Sequence, residues 1–74
     1  MPDKVLVSFE NPYGDHCIDI FAREDGTFGF EEYRRDPEDG AEWRCLHRYG
    51  GQVFNSQEDA LARAKAIVPW LKTP

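Results

Sequence analysis

The stretch Ser56 to Leu71, SQEDALARAKAIVPWL, constrains this chain most, because it reads as the only helix in a strand-rich sequence. Ala60, Leu61, Ala64, Ile67, Val68 and Leu71 recur at helical spacing and form one apolar stripe. Gln57, Glu58, Arg63 and Lys65 fall away from it. Ser56 is the expected N-cap, and Glu58 and Asp59 sit where the helix dipole favours negative charge. Pro69 closes the element, since a proline disfavours helical geometry at Val68 and donates no N–H. One helix with one apolar stripe cannot hide that stripe alone. The strands before it must supply a sheet face, with Leu61, Ala64 and Ile67 expected against Ile20, Phe30 and Trp43.

Four strand-like segments precede the helix. Val5 to Phe9 alternates, and Asn11-Pro12-Tyr13-Gly14 then turns the chain. His16, Ile18, Ile20 and Ala22 alternate with Cys17, Asp19, Phe21 and Arg23 in a second strand. A three-residue loop, Glu24-Asp25-Gly26, with Gly26 in the left-handed region, pairs Ile20 with Phe30 and Ala22 with Phe28. It also sets Phe21 across from Gly29, where a ring can cover bare backbone. A slip of one residue would turn the apolar set to the wrong face.

Thr27 to Tyr33 is the third strand, residues 34–40 a polar loop, and Ala41 to Tyr49 the fourth strand. A simple meander pairs Phe30 with Cys45 and Phe28 with His47 facing in, and Glu31 with Arg44 facing out. Gly50-Gly51 breaks the strand before the helix. The expected fold is therefore α+β: a four-stranded antiparallel β-meander with one C-terminal α-helix packed on one face, in the order β-β-β-β-α. The inner face is expected to hold Val5, Val7, Ile18, Ile20, Phe28, Phe30, Trp43 and Cys45.

The 74 residues make one small domain, 1–74, with 41% hydrophobic and 14% aromatic residues, enough for a core. The net charge is −5, and residues 1–33 alone carry eight acids against two bases. An acidic domain is a poor general ligand for nucleic acid, because phosphate contacts supply most of that affinity. The two cysteines fall outside any Cys-x-x-Cys pair, no secretory leader is read at the start, and no stretch is long enough to span a membrane. The expectation is a reduced cytoplasmic protein.

Several constellations bear on function. Cys45 and His47 stand two apart and could share a metal ion, but zinc wants about four ligands and no second cluster supplies the rest. No metal or cofactor is expected. His16 and Cys17 are adjacent on a strand and so point to opposite faces, which excludes a direct nucleophile–base pair. Cys17 and Cys45 also fall on different faces in this register, against a disulfide. Asp19 and Glu31 come opposite each other, with Arg44 beside them, as a solvated ion cluster rather than an acid–base site.

Arg34, Arg35, Arg44 and Arg48 among Tyr33, Trp43 and Tyr49 resemble in chemistry the stacking surfaces of single-strand nucleic-acid binders, but Asp36, Glu38, Asp39 and Glu42 cancel their charge. The outer sheet face is the stronger candidate. One helix covers one face, and the other is left with Leu6, Phe21, Glu31, Tyr33, Arg44 and Leu46 as an interaction surface. These residues point to a non-enzymatic protein-interaction or self-association module, with a protein partner or homodimer. Single-stranded nucleic-acid binding through the Arg/aromatic cluster is the alternative.

Overall fold

The computed structural model describes residues 3–36, 38 and 42–71. It contains β1 (Lys4–Glu10), β2 (His16–Ala22), β3 (Phe28–Arg34), β4 (Arg44–Cys45) and α1 (Gln57–Ile67), followed by a 3-10 turn at Pro69–Leu71. The four strands form one antiparallel sheet in the order β1-β2-β3-β4, and α1 packs on β2 and β3. The fold is therefore α+β, a meander with a C-terminal helix on one face. Pro37, Asp39, Gly40 and Ala41, which the sequence reading placed in the polar loop and at the start of the fourth strand, lie outside the described residues.

Turn chemistry sets the central hairpin. Gly26 adopts φ 87°, the Arg23 N–H donates to the Thr27 carbonyl at 2.8 Å, and the Asp25 carboxylate accepts from the Thr27 N–H at 3.0 Å. This closes the three-residue loop and brings Ile20 opposite Phe30, Phe21 opposite Gly29 and Ala22 opposite Phe28, the register read from the sequence. Gly14, at φ 73°, closes the β1–β2 turn in the same way, its N–H bonded to the Asn11 carbonyl at 3.0 Å.

The helix also begins where expected. Ser56 is extended, and its hydroxyl accepts from the Asp59 N–H at 3.0 Å. It ends at Ile67, with Val68 already extended ahead of Pro69. Ala60 and Ala64 are fully buried against Ile18, Ile20 and Phe30, with Val68 and Leu71 beyond them; Leu61 and Ile67 flank this line half-buried. Alanine at the contact lets the helix axis approach the sheet.

Two assignments of the sequence reading are corrected. A β-bulge falls between Val5 and Val7, so Val5 lies opposite Phe21 while Val7 lies opposite Ile20. The extra residue switches faces, and Val5, expected inside, is 51% exposed on the outer side. The fourth strand is the second correction. It covers Arg44–Cys45 alone and pairs Tyr33 with Cys45 and Arg34 with Arg44. That register differs from the expected one by an odd number of residues, so Cys45 and Trp43 turn to the outer face and leave the core.

The physical reason lies just downstream. His47 adopts φ 53°, which ends the strand. The backbone then bends past the edge of β3 and returns to it at Phe54, which exchanges two 2.9 Å hydrogen bonds with Phe28. Tyr49 takes the core place assigned to Trp43, its ring 5.1 Å from that of Phe30. The resulting body measures 37 × 34 × 17 Å, a sheet with one helical layer.

If the alanine line is the seat of the helix, Ala64→Leu overfills it and should destabilise the domain by about 1–3 kcal/mol. Arg63→Ala, on the exposed side, should change stability by less than about 0.5 kcal/mol. Urea denaturation of both variants checks this; equal midpoints would show that the helix does not rest on this line.

Candidate functional site: the outer sheet face

Two adjacent acids sit in the middle of β3, and strand alternation sends them to opposite faces. Glu31 is 4% exposed and Glu32 2%. Each is buried because it is fully bonded. The Glu31 carboxylate accepts the backbone N–H groups of Glu32 at 2.7 Å, Arg48 at 3.0 Å, Tyr49 at 3.1 Å and Gly50 at 2.8 Å. It thus gathers in the chain that leaves β4. On the helix side, Glu32 accepts the Trp70 indole N–H at 2.9 Å and an Arg48 guanidinium N–H at 3.2 Å. His16 Nδ1 lies 2.8 Å from the same carboxylate, within hydrogen-bond distance.

Arg23 completes the anchoring from the outer side. Its guanidinium donates to the carbonyls of Phe28 at 2.9 Å, Gly50 at 2.9 Å and Gln52 at 3.1 Å, and lies 5.0 Å from the centre of the Phe21 ring. The space above Gly29 is consumed by these two side chains: a Cβ built there would lie 2.6 Å from Arg23 Nη2 and 2.9 Å from Phe21 Cζ. Phe21 therefore covers Gly29, as its position across the strand implied.

The outer face carries two shallow depressions separated by Tyr33. One is bordered by Asp3, Val5, Arg23, Cys45 and His47, the other by Ser8, Glu10, Cys17, Asp19 and Trp43. Ser8 donates to Asp19 at 2.6 Å. Burial, then the nearby Asp19 carboxylate, pushes the Cys17 thiol up to about 12. Burial also raises the Tyr33 hydroxyl above the ordinary tyrosine value.

The structure distributes the residues singled out from the sequence as follows. Leu6 occupies the bulge and is 36% exposed; Tyr33 is half-buried at the centre of the face; Phe21 is buried under Arg23. Glu31 is committed to the loop it holds. Arg44 is exposed but lies opposite Arg34, which pairs with His16 and so belongs to the helix side. Leu46 is half-buried and donates its N–H to the Glu32 carbonyl at 3.0 Å.

The Arg/aromatic cluster is likewise divided. Arg35 covers the Trp43 ring at 4.5 Å and donates to the Gly14 carbonyl at 2.7 Å, Arg48 is bonded to Glu32, and Tyr49 packs half-buried against the core.

The thiol arrangement also changes. Cys17 and Cys45 both lie opposite Tyr33, one on each side, and share the outer face rather than occupying different ones. Two strand spacings of about 4.8 Å still keep them outside disulfide range, and both are free. Cys45 Sγ stands 3.6 Å from His47 Nδ1. Among the described residues no group of three or more His, Cys, Asp or Glu is placed to hold a metal ion, and no helix is long and apolar enough to cross a membrane.

Sequence reasoning missed the roles of Glu31 and Glu32. The available signal was the Glu-Glu pair inside an otherwise apolar strand, since one member of such a pair must face the core. No protein-family model, curated protein or solved structure matches this chain.

Removing the Glu31 carboxylate orphans several amides at once. Glu31→Ala should cost roughly 3–5 kcal/mol, and Glu31→Gln, which keeps one acceptor oxygen, less. Thermal and chemical melts report both; a neutral Glu31→Ala would refute the anchoring role. The thiols give a second prediction. In the native protein only the half-buried Cys45 should react rapidly with a thiol reagent at mildly alkaline pH, and both should react after denaturation. Rapid native modification of Cys17, read by mass spectrometry, would contradict its burial.

Proposed function

We propose that this protein is a non-enzymatic self-association module, and that two copies meet through the outer sheet face. The observation that carries this reading is that the molecule has one helical layer, on the inner face, and no described element over the outer one. Around Tyr33 that face exposes Val5 and Trp43, the latter at 39%. It also carries both signs of charge, Asp3, Glu10 and Asp19 with Arg23 and Arg35. A two-fold related copy can therefore set acids against bases within one self-complementary contact. Since each copy carries a net −5, moderate salt should strengthen the contact by screening the overall repulsion. The two cysteines, too far apart to pair, suit a reducing compartment such as the cytoplasm.

Sedimentation velocity in the presence of a chelator tests the reading. The wild type should move toward a dimer as concentration rises, and the double variant Val5→Asp/Trp43→Asp should remain a monomer with an unchanged circular dichroism spectrum. A wild type that stays monomeric at near-millimolar concentration overturns the proposal.

A further inference from the structure

We propose that Cys45 and His47 form half of a zinc site, completed by the same pair from a second copy facing it across the outer sheet face. The inference rests on the self-association reading and adds a ligand to it. Its basis is geometric. A sulfur at about 2.3 Å and a nitrogen at about 2.0–2.1 Å on a tetrahedral zinc ion stand about 3.6 Å apart. Cys45 Sγ and His47 Nδ1 stand 3.6 Å apart in the protein. A linear two-coordinate ion would need a separation above about 4.2 Å with ligands of the same reach.

The backbone shows how the pair arises. Cys45 is the last residue of β4, held opposite Tyr33 on the outer face. His47 then adopts φ 53°, a conformation that costs a non-glycine residue about 1–2 kcal/mol. In this bend the imidazole meets the thiol, and the pair borders the depression that also includes Val5 and Tyr33. His47 is exposed and Cys45 half-buried, so an incoming ion reaches both.

Among the described residues no third ligand completes the set within one chain. Two ligands are too few for structural zinc, and a two-fold axis beside Cys45 doubles them to the Cys2His2 set of closed tetrahedral sites. Both thiols bind as thiolates, so each ion releases two protons to solvent and no oxidation or reduction takes place. Two thiolates neutralise the ion's charge. Cys17, buried and with its thiol pushed up to about 12, takes no part and serves as an internal control.

Cobalt(II), which substitutes for zinc and reports its own coordination, is the probe. Titrated into the reduced, chelator-free protein, it should saturate at one ion per two chains. It should produce visible tetrahedral d–d bands and a thiolate-to-cobalt charge-transfer band, while sedimentation shows the dimer. Cys45→Ser should abolish the charge-transfer band, and His47→Ala should weaken cobalt binding at least tenfold. Circular dichroism of each variant confirms the fold. A dimer that forms in chelator but takes up no cobalt overturns the zinc site and leaves the self-association reading intact. A monomer with and without cobalt removes both. Saturation at one ion per chain, or bands that survive in Cys45→Ser, overturns the shared site.

Discussion

Two neighbouring carboxylates, Glu31 and Glu32, hold this fold together at the place where regular structure stops. A buried charge costs several kcal/mol unless it is paired and hydrogen-bonded. Here the donors are supplied in full. Four backbone N–H groups converge on Glu31, and Trp70, Arg48 and His16 surround Glu32. One residue fixes the outer edge of the sheet to the loop after β4. The next fixes the helix side to the C-terminal turn. Because consecutive residues of a strand face opposite ways, two adjacent acids tie both layers through one short piece of backbone.

The rest of the edge follows from that tie. β4 is only Arg44–Cys45, and beyond it the neighbour of β3 is an irregular segment. Leu46 still donates to the Glu32 carbonyl, and Phe54 pairs with Phe28 farther along. Between these points the Glu31 carboxylate does what a ladder of strand hydrogen bonds would otherwise do. Arg23 reinforces the segment by donating to the carbonyls of Gly50 and Gln52. The bend it stabilises sends Tyr49 onto Phe30, and among the described residues no element covers the outer face.

What was legible in the sequence was what local chemistry decides. The Ser56 cap, the Gly26 turn, the Ile20–Phe30 register and the alanine line of the helix each depend on a few consecutive residues, and each is present in the structure. The errors arose where a distant partner decides. The β1 bulge leaves the alternation of Val5, Val7 and Phe9 intact in sequence while splitting it between two faces in space. The Ala41–Tyr49 alternation reads equally well as one long strand, and nothing local reveals that Glu31 claims the amides of Arg48, Tyr49 and Gly50. The candidate site was legible as a face but not residue by residue. Tyr33 lies on that face, whereas Leu6 became the unpaired residue of the bulge, Glu31 proved to be an anchor and Arg44 fell on the helix side with Arg34.

An anchored edge also determines what the outer face can offer. Cys45 stands on it because β4 is short and shifted, and His47 meets Cys45 because the chain must bend toward the Glu31 carboxylate. The shape of the outer face, and with it the proposed contact, is thus a consequence of the carboxylate tie. Native-state hydrogen exchange followed by NMR tests that tie most directly. The account predicts that the amides of Arg48, Tyr49 and Gly50, though in a loop, are protected as strongly as the amide of Phe54 in its bridge to Phe28. Exchange of the three at open-loop rates, with Phe54 still protected, would contradict it.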